Sequence, residues 1–151
     1  MLIKVDDLTG KEIAEFLEQH ISEMRTVSPP ESKHALDLNG LRKAEITFWT
    51  IWIENSLAGC GALKELDTSH AEIKSMRTAP EYRNKGVATM LVQHIIEEAK
   101  SRNYRKLSLE TGSIAFFKPA RQLYLKFGFV YCEPFSNYKE DPNSVFMTKE
   151  L

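Results

Sequence analysis

Apolar residues recur along this chain in two periods, and the switches between them mark its elements. Ile13, Phe16, Leu17, Ile21 and Met24 fall on one helical stripe, the spacing of a helix that buries one face. Thr9-Gly-Lys-Glu12 ahead of it matches a capping box, and the stripe predicts an end near Met24–Arg25. Val87, Leu91, Val92, Ile95, Ile96 and Ala99 predict a second long helix, from about Gly86 to Arg102. Ala120, Leu123, Tyr124 and Phe127 predict another, opened by Pro119 and stopped by Gly128. Between the first two stripes, Ser28-Pro29-Pro30 halts the helix, and a short one is expected over about 31–38.

The strand signals are as regular. Residues 2–5 form a short candidate. Residues 46–53, ITFWTIWI, are apolar on both faces and read as an interior strand. Residues 57–66 return antiparallel after a turn at Glu54-Asn55-Ser56. They contain Gly59 and Gly61, which mark a bulge or a close approach of another group. Residues 71–78 complete the meander. Residues 105–110 follow a helix and are expected parallel to 71–78, because a strand–helix–strand unit crosses over right-handedly. Residues 129–133 and 145–151 close the chain, the last as an edge strand. Trp49 and Trp52 are predicted on opposite faces; core packing is the default for both, with one a candidate wall of a cleft.

The stretch 75–90, SMRTAPEYRNKGVATM, organises the rest. A buried strand runs into a proline, a basic cluster and a glycine, and then a helix starts. The first N–H groups of a helix lack intrahelical partners and carry the positive end of its dipole, so such a junction suits an anion. Gly86 and Ala88 leave the backbone approachable, and Arg77, Arg83 and Lys85 add local charge. These features predict a pocket for a pyrophosphate-bearing cofactor.

Met76-x-Thr78-x-x-x-x-Arg83-x-x-Gly86-x-Ala88 resembles motif A of the GNAT superfamily of acetyl-CoA-dependent N-acetyltransferases. Leu123-Tyr124-x-x-x-Gly128-Phe129 resembles its motif B, in family order and at family separation. The wording of Glu110-Thr111-Gly112 and of residues 142–151 is similar to the YsnE-type branch. GxxxxGK[ST] and GxGxxG are both absent. The resemblance covers essentially the whole chain and implies a single domain over residues 1–151. It implies an α+β (mixed α/β) GNAT fold with a mixed, mostly antiparallel twisted sheet of about six or seven strands flanked by about four helices. It also implies acetyl-CoA as co-substrate, no metal, and a small-molecule or peptide amine as acceptor, and it leaves a homodimer open.

Composition agrees with one ordinary globular domain. The chain has 151 residues, 42% hydrophobic and 27% charged. With 20 basic and 21 acidic residues, its net charge of −1 provides no global field for nucleic acid or an anionic membrane. Cys60 and Cys132 are too few for a disulfide framework, and no leader or membrane-length apolar run is recognised. A cytoplasmic protein with reduced thiols is therefore expected. His20, His34, His70 and His94 lack metal-ligand spacing and are expected at the surface.

Acetyl transfer to an amine needs a proton acceptor for the ammonium, polarisation of the carbonyl and protonation of the leaving thiolate. Glu72 is the first candidate base. It lies six positions before Thr78, the offset of the general-base Glu in the family's histone-acetyltransferase branch. Alternation places Glu72, Lys74 and Met76 on one face. The alternatives are a structural Glu72–Lys74 pair and deprotonation through water. The family polarises the carbonyl with a backbone N–H at a strand bulge, expected here around residues 76–78. Tyr124 matches the motif B tyrosine that protonates the CoA sulfur; its alternative is core packing with Leu123 and Phe127.

For the cofactor, the resemblance carries over Met76, Arg77, Thr78, Arg83, Asn84, Lys85, Gly86, Val87, Ala88 and Thr89. Phe117 stands where many members carry a pantetheine-binding Asn, with Ser113 and Lys118 as candidate substitutes. Arg25, Ser28 and His34 are candidate acceptor contacts by analogy, against a solvated connector. A different class of function, a non-catalytic acyl-CoA-binding sensor or interaction module, needs the same cofactor pocket but neither Glu72 nor Tyr124.

Overall fold

The computed structural model describes residues 1–27 and 38–151. The expected helix over 31–38 and the candidates Ser28 and His34 lie outside the described residues. Among the described residues, seven strands form one sheet: β1 (Leu2–Val5), β2 (Ile46–Ile53), β3 (Ser56–Glu65), β4 (His70–Thr78), β5 (Lys106–Gly112), β6 (Val130–Cys132) and β7 (Ser144–Glu150). Their order is β1-β2-β3-β4-β5-β7-β6. Only β4 and β5 are parallel. The helices are α1 (Lys11–Val27), α2 (Leu38–Leu41), α3 (Val87–Ser101) and α4 (Lys118–Lys126). The α+β class and the strand count agree with expectation.

The two faces of the sheet bury different helices. One face packs Trp49, Ile51 and Ile73 against the stripe of α3 and against Tyr124 of α4. Leu91, Val92 and Ile95 are fully buried there, each contributing roughly 1.5–3 kcal/mol of transfer free energy. The other face packs Phe48, Cys60 and Ala62 against Ile13, Phe16 and Leu17 of α1 and Leu41 of α2. Gly59 lies where α3 comes down on the sheet: a Cβ there would meet the Arg77 carbonyl at 2.8 Å and Val87 at 2.9 Å.

Three local expectations need correction. The capping box does not form: the Gly10 carbonyl takes the first bond of α1, from the Ala14 N–H, and the Thr9 hydroxyl donates to Asp7 at 2.6 Å. The helix also continues to Val27. The last strand, β7, is interior, because β6 returns to pair on its far side and becomes the edge. The edge position expected for the end of the chain is occupied by β6 instead.

The feature that shapes the site is in β4. Its pairing with β3 slips between Cys60 and Ala62, and opposite the slip Ser75 takes a left-handed φ of 56°. This is a bulge, with an extra residue on β4. It lies at Ser75–Met76, slightly before the expected 76–78. The Cys60 thiol, whose pKa burial pushes up to about 12, donates to the Ser75 carbonyl at 3.2 Å. The bulge also breaks the alternation. Glu72 and Lys74 face the α1 side, and so does Arg77. Met76 turns to the α3 side, toward Gly61 and Ile95.

Candidate active site

β4 and β5 pair only from His70↔Lys106 to Ile73↔Leu109. Beyond that point β4 continues to Thr78 and β5 to Gly112, each without the other. The splayed strands open a cleft with two arms. The long arm, of about 530 Å³, runs between the β4–α3 junction and α4. The short arm, of about 150 Å³, runs between β4, β5 and the loop from β6 to β7. His20, Met24, Met76, Phe117, Ala120 and Tyr124 line both, so the arms meet.

The long arm ends on the start of α3. Gly86 is the N-cap residue, at φ 83° and ψ 8°, and no side chain caps the helix. A side chain is strained at that φ, whereas glycine is not. A Cβ built at Gly86 would meet nothing within 4 Å, so space is open beside the first turn of α3. Asn84 is left-handed too, at φ 62°. Met76, Arg77, Thr78, Arg83, Asn84, Gly86, Val87, Ala88 and Thr89 all line this arm. These residues fit a pyrophosphate by backbone donation.

The charges are less available than the sequence implies. The Arg77 side chain is buried on the α1 face: its guanidinium lies 4.5 Å from the centre of the Phe16 ring and donates to the Phe16 carbonyl at 3.4 Å. Its contribution to the long arm is therefore backbone. Arg83 pairs with Glu23 of α1 at 3.4 Å. Lys85 lies over the Tyr82 ring at 5.6 Å, beside the arm rather than in its lining.

Tyr124 sits at the junction, 5% exposed, edge-on to Phe129 at 5.6 Å. Burial raises its phenol pKa well above the usual value. It is consequently neutral at pH 7 and holds a transferable proton. Phe117 forms the other side of the junction. Its ring fills the space over Gly112, where a Cβ would come within 2.1 Å of it. Neither expected substitute for the missing Asn lines the cleft. Ser113 instead donates its hydroxyl to the Pro142 carbonyl at 2.7 Å, and Lys118 is the first residue of α4. Gln122 lines the long arm; its polar side chain on α4 is the signal that would have identified it.

Glu72 lines the short arm and is 2% exposed. Its Oε2 accepts the Tyr138 hydroxyl at 2.6 Å and lies 3.3 Å from Lys74 Nζ. Lys74 also donates to the Tyr138 oxygen at 2.8 Å. Tyr138 was not foreseen from the sequence. Its pKa is held far above the ordinary phenol value by burial first, then by the Glu72 charge and hydrogen bond.

Other expectations resolve differently. Arg25 is exposed and outside the lining of either arm; from α1 it is His20, Glu23 and Met24 that reach the cleft. Trp49 and Trp52 do lie on opposite faces, and both are packing residues. The described histidines are not simply surface groups. His70 shares a 2.7 Å hydrogen bond with Ser108, and His94 is edge-on to Trp49 at 5.2 Å.

A family model described as the acetyltransferase (GNAT) family matches residues 13–129. The chain is 62% identical over 151 residues to an uncharacterised N-acetyltransferase, YsnE, of Bacillus subtilis (strain 168), with all of both chains covered. Among solved structures, it superposes on a Klebsiella pneumoniae protein assigned to the acyl-CoA N-acyltransferases with a TM-score of 0.80 and 24% identity, covering 99% of this chain and 97% of that one. A GNAT acetyltransferase of Elizabethkingia anophelis, solved with acetyl-CoA bound, superposes at 0.66 with 21% identity and the same coverage.

Proposed function

This chain belongs to the acetyltransferase (GNAT) family, and from that premise we propose that it is an N-acetyltransferase. It transfers the acetyl group of acetyl-CoA to a primary amine by direct attack, with both substrates bound. The observation that carries this reading is the splay of β4 from β5, which leaves a long arm ending on an open helix N-terminus and a short arm ending on a carboxylate. The two arms meet at a neutral phenol.

In this reading the backbone donors at the start of α3 hold the diphosphate, and the free edge of β4 beyond the bulge faces the pantetheine arm. The acetyl group then lies near Met76, where a bulge N–H polarises its carbonyl oxygen. Glu72 takes one proton from the acceptor ammonium, directly or through one water. The amine nitrogen bonds to the carbonyl carbon, and the carbon–sulfur bond breaks. Tyr124 gives its proton to the departing thiolate and recovers one from the nitrogen. The products are an N-acetyl amide, free CoA and a proton on Glu72 that passes to solvent. Because burial disfavours a lasting phenolate, donation by Tyr124 is coupled to its own reprotonation.

Titration calorimetry with acetyl-CoA, followed by a screen of amines for CoA release, tests the proposal. Binding with turnover of at least one amine is expected. Binding without turnover across a broad panel would favour a non-catalytic acyl-CoA sensor, and absence of binding would overturn both.

A further inference from the structure

The short arm is closed by the loop between β6 and β7, whose side chains have no part in the transfer steps. Phe135 and Tyr138 of this loop pack edge-on, 5.1 Å between ring centres. Both also contact Phe146 of β7, at 5.9 and 5.5 Å, and Phe135 lies 5.8 Å from His70 of β4. This aromatic group fixes the loop over β4 and holds the Tyr138 hydroxyl against Glu72. Lys74 completes a triangle: it contacts Glu72 Oε2 and the Tyr138 oxygen, and its ammonium lies 5.5 Å from the centre of the Tyr138 ring. Among the described residues, the hydrogen bonds to the Glu72 carboxylate go to Oε2 and Oε1 accepts none.

We propose that Tyr138 and Lys74 are positioning residues that clamp one oxygen of Glu72 and so present the other, Oε1, to the acceptor amine. The inference rests on the acetyl-transfer reading and assigns the loop between β6 and β7 to the acceptor side of the site. Two donors on one carboxylate oxygen fix the rotation of the whole group, which a free glutamate side chain would otherwise sample over several rotamers. The clamp thus converts a flexible acid into a base of one orientation, the condition for efficient proton transfer. Tyr138 acts through Glu72 and need not touch the substrate.

Steady-state kinetics of the full chain test the clamp. The probe is whichever amine the native protein turns over fastest from a panel of alkylamines, diamines, amino-acid amides and lysine peptides. Tyr138→Phe removes one oxygen and keeps the aromatic packing; Lys74→Met keeps most of the side-chain volume and provides a second variant should the first fold poorly. Each is expected to lower kcat by about tenfold or more while the KM for acetyl-CoA changes less than about twofold. The decisive comparison is a double-mutant cycle: in a Glu72→Gln background, Tyr138→Phe should cause no further loss, because its effect passes through the carboxylate. A merely structural tyrosine would slow both backgrounds equally. Equal losses, or native kcat in both single variants, overturn the clamp while leaving acetyl transfer intact. Absence of CoA release by the native protein on every amine overturns the transfer reading and the clamp together.

Discussion

The two arms of the cleft are made from different parts of the polypeptide. The long arm ends on backbone: the first N–H groups of α3 at one strand–helix junction, beside the open space at Gly86. The short arm is chiefly side chains, with Glu72 and Lys74 from β4 and Tyr138 from a loop 66 residues further on. A backbone site survives most side-chain changes and fails when something is added to it. A side-chain site fails when one atom is removed.

That difference predicts how each arm breaks. Gly86→Asp places a β-carbon at φ 83° and a carboxylate beside the proposed diphosphate site. The expected loss of acetyl-CoA affinity is about 100-fold or more by calorimetry, or about 2.7 kcal/mol. Gly86→Ala adds only the strain, about 1 kcal/mol, and should retain most of the binding. Native affinity in Gly86→Asp would remove the long arm as the diphosphate site.

Tyr124→Phe takes one oxygen from the junction. Loss of a general acid predicts a kcat lower by about 100-fold, with acetyl-CoA affinity nearly unchanged. An unchanged rate would leave Tyr124 as a packing residue of the stripe. Gly112→Val should damage both arms at once. Its side chain would collide with the Phe117 ring, 2.1 Å from the first added atom. Overpacking of this kind costs about 1–3 kcal/mol, readable as a lower Tm together with weaker acetyl-CoA binding.

Smaller effects sharpen the electrostatics. Glu23 holds Arg83 at 3.4 Å on a half-exposed surface, where such a pair contributes little to stability. Glu23→Ala should free the guanidinium and tighten acetyl-CoA binding by about two- to fivefold at low salt, less as ionic strength rises. The smallest effect concerns His70. Its folded-state pKa is lowered from 6.5, first by burial and then by Lys106. The unfolded chain therefore binds the proton more readily, and this contribution to stability is complete above about pH 6.5. It is lost as pH falls through the folded value. Urea midpoints of the native protein should drop between pH 7 and 5, and His70→Gln should flatten part of that slope.

What could be read from the residues alone was what is local. The stripes of α1, α3 and α4 repeat within one element, so their buried faces follow from spacing. The junction around Gly86 is likewise contiguous, since a phosphate cradle of backbone donors needs a glycine at one turn and little else. The bulge at Ser75 was foreseen only through family likeness, and slightly misplaced. A left-handed serine leaves no signature in composition, and its conformation is imposed by the pairing with β3 and by Cys60. From that one slip follow the reversal of Met76 and the turning of Arg77 onto Phe16. Tyr138 was invisible for a different reason: nothing in residues 133–143 announces a partner on β4. Its meeting with Glu72 exists only once β7 lies beside β5 and the aromatic group folds the intervening loop back over the strand. Contacts between neighbours in sequence are dictated by periodicity and backbone preference. Those between distant segments depend on the register of a whole sheet, which only the assembled fold can set.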